Sequence, residues 1–242
     1  MTAPAPRAPI KPHKDTRHGI ERIDDYAWLR ADNWQEVFKD TSVLDPAIRD
    51  YLEAENAFQK DFMADTHAPQ KPLFAEMKGR IKEDDESVPA PDGPFAYGTS
   101  FKKGGQQPRD YRVARDNITG ERQILIDGDK EAECKDYFKL AGTDRSPDHS
   151  QLLWAYDDKG SEYYTVKIRD LASGTELDDT IKDMGGGAVF TAGGNGVVYT
   201  LMDDNHRPSK VFYHKIGTPS SDDVLLYGEA DSGFFVGVSR SR

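Results

Sequence analysis

Six histidines, at positions 13, 18, 67, 149, 206 and 214, one cysteine and a serine near the C-terminus are the side chains here whose types suit nucleophilic or general-base work. A serine raised on a strand-to-helix elbow needs Gly-x-Ser-x-Gly, because small residues must permit the strained turn. The nearest string, Gly237-Val238-Ser239-Arg240-Ser241, lacks the second glycine and falls in an expected strand. No histidine has a sequence neighbourhood that marks it as a base oriented by a carboxylate, so core or surface positions are expected for all six. Cys134, between Glu133 and Lys135, reads as an incidental thiol, and one cysteine rules out an internal disulfide framework. Asp127-Gly128-Asp129 offers two carboxylates without the other ligands of a calcium loop and reads as a turn. The run Glu83-Asp84-Asp85-Glu86 reads as a solvated linker. Met184-Gly185-Gly186-Gly187 and Gly193-Gly194-Asn195-Gly196 lack the Lys-Ser/Thr that a phosphate loop would carry. Asn117-Ile118-Thr119 is a glycosylation sequon that, without a secretory route, reads as part of a turn. No catalytic, cofactor-binding or metal-ligating residue is assigned.

The elements that would position any chemistry divide the 242 residues in two. Residues 1–16 contain four prolines, at 4, 6, 9 and 12, and are expected to be a disordered arm, with order beginning near His18-Gly19. Residues 17–86 form a helical segment. Trp28, Leu29, Trp34, Val37 and Phe38 have helical spacing and are expected in a core. Asp45-Pro46 starts a helix running to about residue 64, its apolar stripe of Ile48, Tyr51, Leu52, Phe58 and Phe62 broken by Glu55. A second helix is expected from Pro72 to about Lys82, with Leu73, Phe74, Met77 and Ile81 on one side. Both need an apolar surface to cover.

Residues 87–242 carry strand signals. Leu152–Tyr156 and Tyr163–Leu171, separated by Asp157-Asp158-Lys159-Gly160 and flanked by Ser146-Pro147-Asp148 and Ser173-Gly174, describe an antiparallel meander. Its closing pattern recurs: Arg115-Asp116-Asn117-Ile118-Thr119-Gly120, Arg169-Asp170-Leu171-Ala172-Ser173-Gly174, and His214-Lys215-Ile216-Gly217-Thr218. A spacing of roughly 50 suits four-stranded β-propeller blades. The first blade is expected from strands over 95–101, 110–115 and 122–126, and the second from 137–179. The third takes 188–191, 197–202, 210–215 and 224–227, and Phe234–Val238 opens a fourth. The fold class is therefore mainly β with N-terminal helices, a partial propeller of about three to four blades. A strand ending at Arg242 leaves its blade unfinished, which suggests a fragment.

Thirty-two Lys plus Arg against 43 Asp plus Glu give a net charge of −11, which repels phosphate backbones and argues against nucleic acid. No run of eighteen apolar residues and no N-terminal apolar block is present, so no membrane span is expected and the cytoplasm is the default compartment.

Several ordered motifs carry a family resemblance. His18-Gly19, Ile23-Asp24-Asp25-Tyr26-Ala27-Trp28-Leu29-Arg30 and Tyr51-Leu52-Glu53-Ala54-Glu55-Asn56 resemble the N-terminal segment of the prolyl oligopeptidase family of serine peptidases, its oligopeptidase B (protease II) branch above all. Ser146-Pro147-Asp148, Asp158–Tyr164, Arg207–Val211, His214–Thr218 and Asp231–Val238 continue the match, which covers residues 17–242. The resemblance implies a seven-bladed propeller stacked on an α/β-hydrolase domain, with the N-terminal segment packing on the hydrolase. It further implies cleavage of short peptides after Arg or Lys, with the propeller restricting access. The family's Ser, Asp and His triad lies in the C-terminal domain, and no position here matches it. The expectation is an N-terminal and propeller portion, inactive alone, whose partners are short basic peptides and the absent hydrolase domain. The competing reading is a stand-alone, non-catalytic propeller-like module that binds peptides.

Overall fold

The computed structural model describes residues 4–241, which divide into two units at the junction of Lys82 and Glu83. The break falls four residues before the expected 86/87 boundary, because Glu86 bridges Ser100 and its carboxylate takes Arg122 at 2.7 Å.

The first unit opens with a hairpin where a disordered arm was expected. Strands β1 (His13–Arg17) and β2 (Ile20–Asp24) pair antiparallel around His18-Gly19, both with positive φ (53° and 77°) as a two-residue hairpin turn requires. Lys11 N donates to Asp25 O and Trp28 Nε1 to Pro9 O, both at 2.9 Å, so the proline-rich stretch from Pro9 on is tied down. The strands escaped the sequence reading because charge pairs replace an apolar face: Lys14 meets Glu21 at 2.5 Å, and Asp15 takes Arg17 and Arg22 at 2.9 and 2.8 Å. The Arg22 hydrogen bond, the leading cause, holds the Asp15 carboxyl below its ordinary range. Residues 1–3 of the expected arm lie outside the described residues.

Helices follow. α1 (Trp34–Lys39) leaves Trp34 and Val37 half-buried and Phe38 exposed, so the expected aromatic core is only partly formed. α2 (Pro46–Phe62) starts as its sequence predicts: Asp45 accepts from Ala47 N at 2.7 Å, and Pro46 occupies the first turn, where a missing N–H costs nothing. Glu55, the break in its stripe, accepts from Tyr51 Oη at 2.5 Å. α3 (His67–Gly79) begins five residues before the expected Pro72 and carries that proline inside. A 3₁₀ turn, Ala64–Thr66, leads directly into it, and Pro72, the sixth residue of α3, lies past the first turn and forgoes the bond its N–H would have made to the carbonyl four residues back.

The second unit is built of antiparallel meanders. β3 (Ala90–Asp92), β4 (Phe95–Ser100), β5 (Arg109–Ala114) and β6 (Gln123–Asp127) make a four-stranded sheet in sequential order, one strand more than expected for blade one. After a single turn, α4 (Gly128–Glu131), the chain enters a seven-stranded sheet. Its strands, also in sequential order, are β7 (Lys139–Arg145), β8 (Gln151–Asp157), β9 (Tyr164–Asp170), β10 (Glu176–Phe190), β11 (Gly196–Met202), β12 (Pro208–Lys215) and β13 (Val224–Gly228).

This sheet is two blades sharing one strand. The first part of β10 pairs with β9 and the last part with β11, and Met184 pairs across to both Tyr164 and Leu201. The glycines after Met184 are what this hand-over needs. Gly186 and Gly187 adopt φ of 86° and 136°, and a Cβ on Gly186 would lie 3.0 Å from Thr200 Oγ1. The separate strands expected up to residue 179 and from residue 188 are thus one.

The core lies between blades. Leu153 and Ala155 of β8 join Val166, Ile168, Ile181, Met184, Phe190, Val197 and Tyr199 on one side, while Leu152 and Trp154 of the same strand join Leu125, Ile126, Phe138 and Leu171 on the other. A strand covered on both faces reads as an unbroken apolar run. β4, alternately half-buried and buried, shows the one-sided case. Each fully buried large apolar side chain contributes about 1.5–3 kcal/mol.

Phe234–Val238 is not a strand. Arg207, 7% exposed, holds this segment instead, donating to Asp231 O at 2.7 Å and Phe234 O at 2.5 Å, while Val236 N donates to Pro208 O at 3.0 Å. A ladder needs a neighbouring strand, and among the described residues none pairs with this segment.

Candidate functional site

A serine peptidase needs an imidazole with one nitrogen on a carboxylate and the other facing a hydroxyl. His214, near the end of β12, comes nearest to this and fails. It has no exposed surface, its Nδ1 lies 2.6 Å from Asp223 Oδ1, and its Nε2 lies 2.9 Å from Asp179 Oδ1. Both ring nitrogens are therefore engaged by carboxyl groups, and neither faces a hydroxyl from which it could take a proton. Tyr199 Oη donates to Asp223 Oδ2 at 2.8 Å, and Gly217 N donates to Asp179 Oδ1 at 2.6 Å. Burial, reinforced by the Asp223 bond, pushes the Tyr199 phenol well up. The network ties the hairpin after β12 to the preceding blade.

The other residues singled out in the sequence also hold turns. His149 has φ 60°, stacks on Tyr97, and its Nδ1 lies 2.7 Å from Tyr97 Oη. Ser146-Pro147-Asp148 is a side-chain knot in which Asp148 accepts from Ser146 Oγ at 2.6 Å and from Ser150 N and Oγ, and these bonds hold its carboxyl down to about 2. Asp157 is buried and accepts from Lys159 N, Gly160 N and Glu162 N. Asp127 caps α4 and meets Lys102 at 2.5 Å, while Asp129 Oδ1 accepts from Gln106 N and Gln107 N at 2.9 Å. Asn117 accepts from Gly120 N, so the sequon is a turn. Cys134 is exposed, and Ser239 is exposed on the segment that Arg207 anchors. No group of three or more His, Cys, Asp or Glu among the described residues could hold a metal ion.

A cleft of about 320 Å³ lies where β7 passes the β10 bend. Leu153, Met184, Lys139, Thr143, Tyr164 and Gly187 are among the residues that line it. Nearby, Arg145 at the end of β7 meets Asp92 of β3 at 2.5 Å, and Arg240, on the segment after the last strand, lies 3.8 Å from Asp144 of β7. Asp144 Oδ2 also accepts from Phe190 N at 2.9 Å. The residues that line this cleft include no activated nucleophile. The sequence reading missed Asp179, Asp223 and Tyr199, since their partnership spans 35 residues on one side of His214 and 9 on the other. The sole signal was the recurrence of the closing pattern.

Sequential four-stranded meanders packed face to face, with a strand passed from one to the next, define an incomplete β-propeller preceded by a helical segment. Residues 6–242 match the prolyl oligopeptidase N-terminal beta-propeller domain, and the chain belongs to that family. It is 32% identical over 257 aligned residues to dipeptidyl aminopeptidase BI of Pseudoxanthomonas mexicana, covering 100% of this chain and 34% of that protein. It is 27% identical to protease 2 of Moraxella lacunata, covering 96% of this chain and 33% of that protein. The structure of oligopeptidase B from Trypanosoma brucei with covalently bound antipain superposes with a TM-score of 0.84 at 27% identity, covering 98% of this chain and 34% of that one. The chain thus spans about a third of the length of these relatives. Among the described residues no helix is long and apolar enough to cross a membrane.

Proposed function

We propose that this chain is the N-terminal and propeller portion of an oligopeptidase B-like serine peptidase that cleaves short peptides after Arg or Lys, with the propeller limiting which substrates enter. The observation that carries the reading is the match along nearly the whole chain to only a third of each relative, combined with a histidine whose two nitrogens are both taken by carboxylates. Acyl transfer would then use a serine nucleophile, a histidine base, an orienting aspartate and an oxyanion hole, all on an α/β-hydrolase portion outside this chain.

The part left to these residues is structural and selective. In the first unit, α3 and the residues after it expose Leu73, Phe74, Met77 and Ile81 at 56%, 68%, 59% and 67%, an apolar surface suited to packing on the hydrolase. The net charge of −11 favours the approach of cationic peptides. A closed ring of such blades admits an extended peptide and turns away a folded protein.

The chain alone should not hydrolyse an Arg- or Lys-ester reporter. Turnover abolished by a serine-directed covalent inhibitor would overturn this. Reading the DNA past codon 242 should show an in-frame Gly-x-Ser-x-Gly followed by Asp and His. The protein made from that frame should cut a short Arg-containing peptide and spare a folded protein bearing exposed arginines. Equal cleavage of both would sink the selective role.

A further inference from the structure

The closing pattern that recurs in the sequence places a basic residue near the end of the third strand of two successive blades, 45 positions apart at Arg169 and His214, with a glycine of positive φ following at Gly174 (73°) and Gly217 (85°). Their surroundings match. Arg169 on β9 reaches back to the preceding blade, donating from Nη2 to Glu131 Oε1 at 2.8 Å and from Nη1 to Leu125 O on β6 at 3.2 Å. It also meets its own blade's fourth strand, from Nε to Glu176 Oε1 at 2.6 Å. His214 on β12 reaches back to Asp179 on the preceding blade's β10 and meets Asp223, the residue just before its own fourth strand β13. Each basic side chain is shared between a carboxyl group on the preceding blade's side and one of its own blade.

We infer that Arg169 and His214 are two copies of one inter-blade lock, which sets how each blade seats on the one before and makes neighbouring blades open together. Apolar faces attract without direction, so the clusters between blades tolerate sliding or rotation. A basic side chain bonded to two carboxyl groups from different blades does not, because any shift leaves an enclosed or half-enclosed polar group without its partner. The two copies use different chemistry for one task. The guanidinium spans three acceptors from the half-buried edge, while the imidazole, with two nitrogens at opposite ends of a small ring, fits a fully enclosed gap.

Hydrogen exchange on the whole chain tests this, comparing parent, His214→Ala and Arg169→Met. In His214→Ala, exchange should quicken about a hundredfold or more both in 208–228 and in the Glu176–Met184 part of β10, while β3 to β6 change by less than about twofold. In Arg169→Met the affected pair should move back one blade, to 123–131 and 164–176. Should His214→Ala not fold, Asp179→Asn keeps a partner for the imidazole but removes the charge, and is expected to give the same pattern more weakly. Faster exchange confined to 212–223 would reduce the residue to a locally satisfied buried group and overturn the lock. An equal rise in all three blades would overturn it too, since pairwise coupling would then be absent.

Discussion

Residues 4–82 and 83–241 differ in where their apolar surface goes. In the second unit most strands contribute to clusters shared by adjacent blades, with Phe190, Ile126 and Leu152 fully enclosed, while Tyr111 is enclosed within the first blade and β13 stays exposed. Among the described residues of the first unit, Ile48 alone is buried, while Leu52, Phe62, Leu73, Phe74 and Met77 stand 48–68% exposed. The first unit holds its shape through local devices: a charge-paired hairpin, the Asp45 cap, and ring contacts such as Trp28–Tyr51 at 6.3 Å. Secondary structure can thus be well specified without a core, and stability there depends on whatever covers the exposed faces.

The comparison is most exposed to failure in core truncations. Phe190→Ala should cost about 3–5 kcal/mol in urea unfolding of the second unit, and Phe74→Ala should stay within about 0.5 kcal/mol. Equal costs would mean that the first unit has a core after all. Asp157→Ala removes a buried carboxylate, leaves its three backbone donors unpaired and should cost about 2–3 kcal/mol. Asp45→Ala should cost about 1 kcal/mol, read as faster exchange in the first turn of α2 with the blades unchanged.

The smallest effect sharpens the comparison within the blades. Asp148 titrates at about 2 because Ser146 and Ser150 donate to it. Its folded value lies below its unfolded one, so its stabilisation is complete above the ordinary carboxylate range and is lost as pH falls toward 2. Asp148→Asn should be less stable than the parent at about pH 5 and converge with it near pH 2, measured by urea unfolding. A difference that persists at the acid end would assign the effect to shape.

Much of the second unit was legible because its signals are local. Ser146-Pro147-Asp148 and Asp157–Gly160 mark turns through side chains bonding backbone within five residues, and blade two follows from them. The hairpin at 13–24 was not legible, since its pairs are ionic and leave no apolar alternation. β3 is three residues of Ala-Pro-Asp, too short to signal a strand until β4 pairs with it. The start of α3 was misplaced because Pro72 looked like a first-turn residue.

By itself the sequence determined the strand-rich half, its blade-length recurrence, the Asp45 start of α2 and the absence of a nucleophile elbow, all properties of residues near one another along the chain. Only the tertiary structure decided that β10 serves two blades, that β8 faces two cores, and that His214 is closed between Asp179 and Asp223. These depend on which distant strands meet. A carboxylate 35 residues away becomes an imidazole's partner only when the sheets bring them together and burial removes the water that would otherwise serve both.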